Sequence, residues 1–143
     1  MGRSRGGLTT KVHVRANAAG LPIGLVITPG EAHDATAYPA LMDEDAPDPK
    51  VLIADRGYDA DAIRSDVEAR GGTPVIPTKR NRRIQIATDS FIYALRNRIE
   101  RGIGHLKNAR RVATRYDKTA TSYLGFVQLA AIRLWIRYFV NRR

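Results

Sequence analysis

The chain of 143 residues has no cysteine, which excludes a disulfide framework and a thiolate metal site and fits a reducing cytoplasm. Met1 is followed by GRSRGG rather than by an apolar run, so the opening does not read as a secretory leader. The most apolar region, near Leu129 to Val140, is interrupted by Arg133 and Arg137 and does not read as a membrane span. No acid precedes Glu31, and there is neither an internal repeat nor a low-complexity tract. The run DRGYDAD, Asp55 to Asp61, has the spaced acids of a calcium loop, but Ala60 stands at the sixth position, where that loop needs glycine.

Hydrophobic residues make up 43% of the chain, enough for a real core, and the length predicts one domain over residues 1–143. The net charge of +10 points to an anionic partner. Its distribution says more. From Glu31 to Arg70 eleven acids face four bases, whereas from Lys79 to Lys118 twelve bases face three acids. The positive charge is therefore concentrated downstream. Nucleic acid is the first choice of polyanion and a membrane surface the second. A membrane-binding segment would set apolar residues opposite its basic face, and the cluster Lys79–Arg83 has no such partner.

Residues 8–14 and 21–28 read as strands joined by a turn at Asn17-Ala-Ala-Gly20, a β-hairpin ended by Pro29-Gly30. A short helix follows, with Asp34 or Thr36 as its cap and Pro39 in its first turn. Residues 51–54 are a short apolar run that reads as a buried strand. Asp59 or Asp61 opens a helix that runs to Ala69 and stops at Gly71-Gly72. Residues 73–77 form another short strand, and Lys79-Arg-Asn-Arg-Arg83 a basic loop. Ser90 or Asp89 caps one long helix, with Gly102 and Gly104 inside it, and a last helix spans about 121–141. The order β-hairpin, α, β, α, β, α, α predicts an α/β domain with a mixed sheet.

The long helix is the most informative element. At about 100° per residue, Tyr93, Arg96, Glu100 and Lys107 fall on one stripe, and Ile92, Leu95, Ile99 and Leu106 repeat the spacing one position earlier. The apolar stripe would fix the helix on a core and hold the polar one at a defined height. Between Ile92 and Arg111 the only acid is Glu100, among six cations. One acid in such a field reads as a metal ligand or catalytic acid beside a polyanion site, or as an ordinary ion pair with Arg96 or Arg101. Asp55 stands just past a strand end, where α/β sheets carry their chemistry; capping is the ordinary alternative, although Asp59 and Asp61 are the expected caps. Two carboxylates on different elements can hold hard divalent cations, and an ion pair about 4 Å apart suits in-line displacement at phosphorus. Lys79, Arg80, Arg82, Arg83, Arg110, Arg111 and Arg115 are candidate phosphate contacts, or a solvated basic surface. His33 and His105 read as surface or capping residues, and His13 as a solvent-facing strand residue or a catalytic one. In the last helix Phe126, Leu129, Ile132, Trp135, Ile136 and Phe139 read mostly as core, with part of the helix a candidate homodimer face.

The spacing Tyr93, two residues, Arg96, three residues, Glu100, six residues, Lys107 resembles the signature of insertion-sequence DDE transposases. GRSRGGLTTKVHV, VLIADRGYDAD, PVIPTKRNRR, RRVATRYDK and LAAIRLWIRY resemble the same family in the same order. The resemblance implies a ribonuclease H-like fold and an Asp-Asp-Glu triad with Mg²⁺ (or Mn²⁺). Asp55 matches the second aspartate and Glu100 the glutamate, both as metal ligands and catalytic residues. Tyr93, Arg96 and Lys107 match residues that contact DNA or orient the glutamate. The family's first aspartate lies on a strand upstream of the GRSRGG block, so the resemblance covers a carboxyl-terminal portion lacking that first central strand. Asp34 is the nearest replacement and reads better as a cap. Gly102 and Gly104 depart from the family, which has bulky apolar residues there.

The resemblance implies DNA strand cleavage and strand transfer on element ends and target DNA, in the prokaryotic cytoplasm at the nucleoid. The missing ligand predicts little or no activity of the chain alone, and an upstream-frame transposase portion is the partner that would complete it. The competing expectation is a DNA-binding or transposase-binding regulator of transposition without catalysis. A non-mobile nuclease of the same fold fits the tyrosine-to-lysine signature less well.

Overall fold

The computed structural model describes residues 2–4, 7–43 and 45–141. They form strands β1 (Gly2–Ser4), β2 (Gly7–Ala16), β3 (Pro22–Pro29), β4 (Val51–Ile53) and β5 (Thr73–Val75). The helices are α1 (Tyr38–Met42), α2 (Asp61–Ala69), α3 (Ser90–Ala94), α4 (Asn97–Lys107), α5 (Arg110–Ala113) and α6 (Ala120–Val140). Short 3₁₀ turns occupy Asp34–Ala37 and Arg56–Tyr58. The content is α/β, as expected. The chain divides into two compact units, Met1–Ala32 with Arg98–Arg143, and His33–Asn97.

In the first unit β1, β2 and β3 make an antiparallel sheet in that order. The predicted hairpin is present, with Thr10 opposite Pro29 and Val14 opposite Leu25. Its turn is built as its sequence requires. Asn17 Oδ1 accepts from the N–H groups of Ala19 and Leu21, each at 3.0 Å. Gly20 adopts φ of +80°, where a side chain would be strained. His13 is buried rather than solvent-facing, and its Nε2 lies 2.8 Å from the Thr28 hydroxyl on the neighbouring strand.

Helix α6 covers this sheet. Tyr123, Val127 and Ala131 are buried against Leu106 and Val112, with Val12, Val14, Leu25 and Ile27 of the sheet beside them. Thr119 caps the helix by accepting from the Ser122 N–H. The expected core face was the wrong one: Leu129, Ile132, Ile136 and Phe139 are each more than half exposed. α6 is apolar around most of its circumference, so periodicity could not single out the buried stripe. By length and composition it is also apolar enough to cross a membrane, but its Tyr123 stripe is committed to the sheet.

In the second unit β4 and β5 pair in parallel, Val51 opposite Thr73 and Ile53 opposite Val75. β4 is not the buried strand expected; Val51 is 44% exposed, because among the described residues β5 is the strand it pairs with. The core forms instead from Ile63 and Val67 of α2 with Tyr38, Met42 and Ile76. α2 ends as predicted, with Gly71 at φ of +77°. Neither expected acid caps it: its cap position is Ala60, without a side-chain bond. The 3₁₀ turn at Asp34 likewise begins without a side-chain cap.

The predicted long helix is two. Asp89 caps α3 by accepting from the N–H groups of Phe91 and Ile92, at 2.9 and 3.0 Å. The chain then tightens: Leu95 N–H bonds to the Ile92 carbonyl and Arg96 N–H to that of Tyr93, three-residue spacings that close an α-helix. α4 starts afresh at Asn97, and Arg98 Nη1 donates to the Ala18 carbonyl at 2.7 Å. That anchor and the packing of Gly102 against Gly20 tie α4 to the hairpin turn, a tertiary contact that overrides helical continuity.

Candidate functional site

Asp55 follows β4, and its backbone is extended. Its Oδ1 accepts from the Gly57 N–H at 2.8 Å, so the carboxylate caps the 3₁₀ turn that follows. The ordinary alternative for this aspartate is therefore realised. The cap does not consume it, because a carboxylate offers about four acceptor positions. The structure also brings Asp34 to the same place. A Cβ on Gly57 would collide with Asp34 Oδ2 and come within 3.0 Å of Asp55 Oδ1, so the two carboxylates close on one spot that only glycine leaves open. Tyr58 reports the resulting field: burial first, then the charges of Asp34 and Asp55, raise its phenol well above the usual range. Asp34 is the residue the sequence offered as nearest replacement for the absent aspartate while favouring a cap, and the cap is not the role the structure gives it.

Asp59, expected as a cap, is instead a buried anchor. Arg64 Nη2 and Arg82 Nη1 each reach its Oδ1 at 2.9 Å, and the Lys79 N–H reaches Oδ2 at 2.8 Å. Arg82 also bonds Asp61. Of the four cations predicted in the basic loop, Arg82 is thus held within the fold, while Lys79, Arg80 and Arg83 are exposed.

The tyrosine-to-lysine stripe is divided by the break between α3 and α4. Tyr93 and Arg96 stay together, with the Arg96 guanidinium 5.4 Å from the Tyr93 ring centre, a cation–π distance. They fall in the second unit, and Glu100 and Lys107 in the first. Glu100 lies in the first turn of α4 and is exposed, where the helix dipole favours an anion. Lys107 and Arg110 are exposed. Arg111 lies 4.3 Å from the Phe126 ring centre and 3.9 Å from Asp117 Oδ1. Arg115 is turned into the fold, bonded to Thr10 Oγ1 and, at 3.0 Å, to the Asp117 carbonyl.

Among the described residues no group of three or more His, Asp or Glu side chains is arranged to hold a metal ion. Asp34 and Asp55 are donors of the right kind for a hard cation, and Mg²⁺ is commonly held by one or two carboxylates with waters and substrate phosphates completing its shell. The pair in the second unit therefore fits an ion whose shell water and substrate complete, and it does not make a cage of protein ligands alone.

Residues 2–135 match the family model described as the transposase DDE domain. This chain belongs to that family. Two relatives are each named "Putative transposase". The one for insertion sequence element IS6501 of Brucella ovis is 36% identical over 135 residues, covering 91% of this chain and all of the relative. The one for insertion sequence element IS402 of Burkholderia cepacia is 29% identical over 130 residues, covering 84% of this chain and 59% of the relative. No solved structure matches the chain significantly. The small sheets agree with an α/β fold, and the ribonuclease H-like arrangement is what membership of the family implies.

Proposed function

We propose that this chain is catalytic-domain material of a transposase that binds DNA through exposed cations and acts in strand cleavage and strand transfer, with Asp55 and Glu100 as its catalytic carboxylates. The observation that carries the reading is the family match across residues 2–135, within which Asp55 sits at a strand end and Glu100 on an exposed helix turn. Glu100 is exposed and Asp55 is half-buried. Asp34 joins Asp55 in the proposed site as a second carboxylate of the same unit. The divalent ion on which the family's chemistry depends would need ligands beyond that pair.

Lys79, Arg80, Arg83, Lys107 and Arg110 are the proposed phosphate contacts. Contacts of this kind set the position of DNA and carry no sequence information. If these five each neutralise one phosphate, log K falls with log salt at a slope of about −4.5. The test is binding and cleavage of a duplex carrying an element end, with and without Mg²⁺. Cleavage that needs the ion and is lost in Asp55→Asn and in Glu100→Gln, with binding retained, supports the catalytic reading. Binding without cleavage by the chain alone agrees with the expected missing ligand, and binding that stays without cleavage when a transposase portion carrying that ligand is added favours the regulator. A slope near zero removes DNA as the partner.

A further inference from the structure

Segment 76–89 has neither helix nor strand, yet its backbone is fixed from within the second unit. Asp59, 5% exposed, accepts from the Lys79 N–H at one oxygen and from Arg64 and Arg82 at the other. Arg64 Nη2 donates onward to the Ile76 carbonyl at 2.6 Å, where the segment begins. Gln85 Nε2 donates to the carbonyls of Lys79 and Arg82 at 3.2 and 2.7 Å. The Arg82 N–H closes on the Lys79 carbonyl at 3.0 Å. Arg82 is thus a strut of the loop, and the exposed cations left on it are Lys79, Arg80 and Arg83. A satisfied network of buried charge fixes geometry, and cations held in place lose less entropy when a ligand orders them.

We propose that Asp59, acting through Arg82 and the Lys79 N–H, is a positioning residue that presents Lys79, Arg80 and Arg83 as a preformed grip for successive DNA phosphates. This rests on the DNA-binding reading above. It makes a prediction opposite in sign to that of net charge. A carboxylate beside a DNA-binding loop repels phosphate, so on charge alone its removal tightens binding. Positioning requires that its removal weaken binding although the protein becomes more positive.

The experiment measures anisotropy of a labelled duplex against salt for the whole chain and three variants, with circular dichroism as the check on folding. Lys79→Gln/Arg80→Gln/Arg83→Gln should lower the salt slope by about 2.7, three contacts' worth. Gln85→Ala changes no charge and should weaken binding about threefold at fixed salt with the slope kept, through lost preorganisation alone. Asp59→Asn should weaken it about tenfold for the same reason. Either Gln85→Ala or a folded Asp59→Asn that binds as tightly as wild type, or more tightly, overturns the proposal. Should Asp59→Asn fail to fold, Gln85→Ala decides. If the triple variant loses its slope while Gln85→Ala binds like wild type, positioning fails and DNA binding stands. If wild type shows no salt-dependent binding, both fall.

Discussion

The two units handle charge in opposite ways. In the His33–Asn97 unit charge is turned inward: Asp59 and Arg64 are buried together, and Arg82 joins them. At its surface Arg70 bridges Asp48 and Asp66, and Asp66 accepts from the Tyr38 hydroxyl at 2.6 Å. In the unit formed by the two ends of the chain the buried cluster beneath α6 is apolar, and Glu100, Arg101, Lys107 and Arg110 are exposed, with five large apolar side chains of α6 exposed as well. The lesson is that a count of charges does not give the charge offered to a partner. The acid-rich unit commits Asp48, Asp59, Asp61 and Asp66 to its own arginines.

The contrast breaks most sharply at Asp59. Asp59→Asn leaves the nearly buried Arg64 guanidinium without its counter-charge, and removing one partner of such a pair costs about 3–5 kcal/mol. Arg70→Ala, which removes two solvent-exposed ion pairs, should cost much less. Urea unfolding of the two variants checks the difference; equal costs would mean that burial does not distinguish the pairs. The same residue gives a pH dependence. Burial raises the Asp59 carboxyl, but the Lys79 N–H, the Arg64 hydrogen bond and the Arg82 and Arg64 charges outweigh it and hold it below the usual range. A carboxyl lowered on folding stabilises above its unfolded value, about 3.9, and that contribution is lost as pH falls from there through the folded value. Wild type should therefore lose stability below about pH 4, and Asp59→Asn should lack that share of the loss. The share belonging to Asp66, held low by the Tyr38 hydroxyl and then Arg70, should remain.

Local features were legible in the sequence. The hairpin turn, the Asp89 cap and the stop at Gly71 each involve groups within a few residues of one another, and each was expected where it stands. The α/β class and the family were legible too, the second from five blocks in order. What failed depended on distance along the chain. Arg82 meets Asp59 across 23 residues, and Arg98 meets Ala18 across 80; no spacing rule reaches either. The first contact turned an expected cap into a buried anchor and an expected phosphate contact into a strut. The second goes with the interruption of a helix that its periodicity presented as continuous. The face of α6 was missed for another reason, since a helix apolar on two sides has no periodic signal for which side is covered.

The hairpin contact can itself be probed. At Gly102 the helix backs onto the hairpin turn: a Cβ would lie 2.5 Å from the Gly20 carbonyl oxygen. The turn cannot yield easily, being closed by Asn17 on both sides, and Gly20 is itself tight against the Arg98 carbonyl, with 2.7 Å for an added Cβ. Gly102→Ala should therefore destabilise the unit by about 1–3 kcal/mol, the usual cost of overpacking. Thermal unfolding measures it, and a neutral result would mean that α4 is not seated on the turn.

Gly104, two residues on and about 200° around the helix, is the smallest case and has the opposite sign. A Cβ there meets nothing within 4 Å, so no packing reason holds glycine at that position. Alanine loses less backbone entropy in a helix interior, and in an exposed helix the exchange is favourable by about 0.5–1 kcal/mol. Gly104→Ala should raise the unfolding midpoint while Gly102→Ala lowers it, in the same helix and by the same chemical change. Gly104 also lies four residues from Glu100 on the exposed side of α4, where neighbours at that spacing adjoin. If the gain in stability comes with weaker DNA binding or slower cleavage, the bare backbone beside Glu100 is in use as an approach for the ligand. If stability rises and both are unchanged, the glycine is only a weak point in the helix.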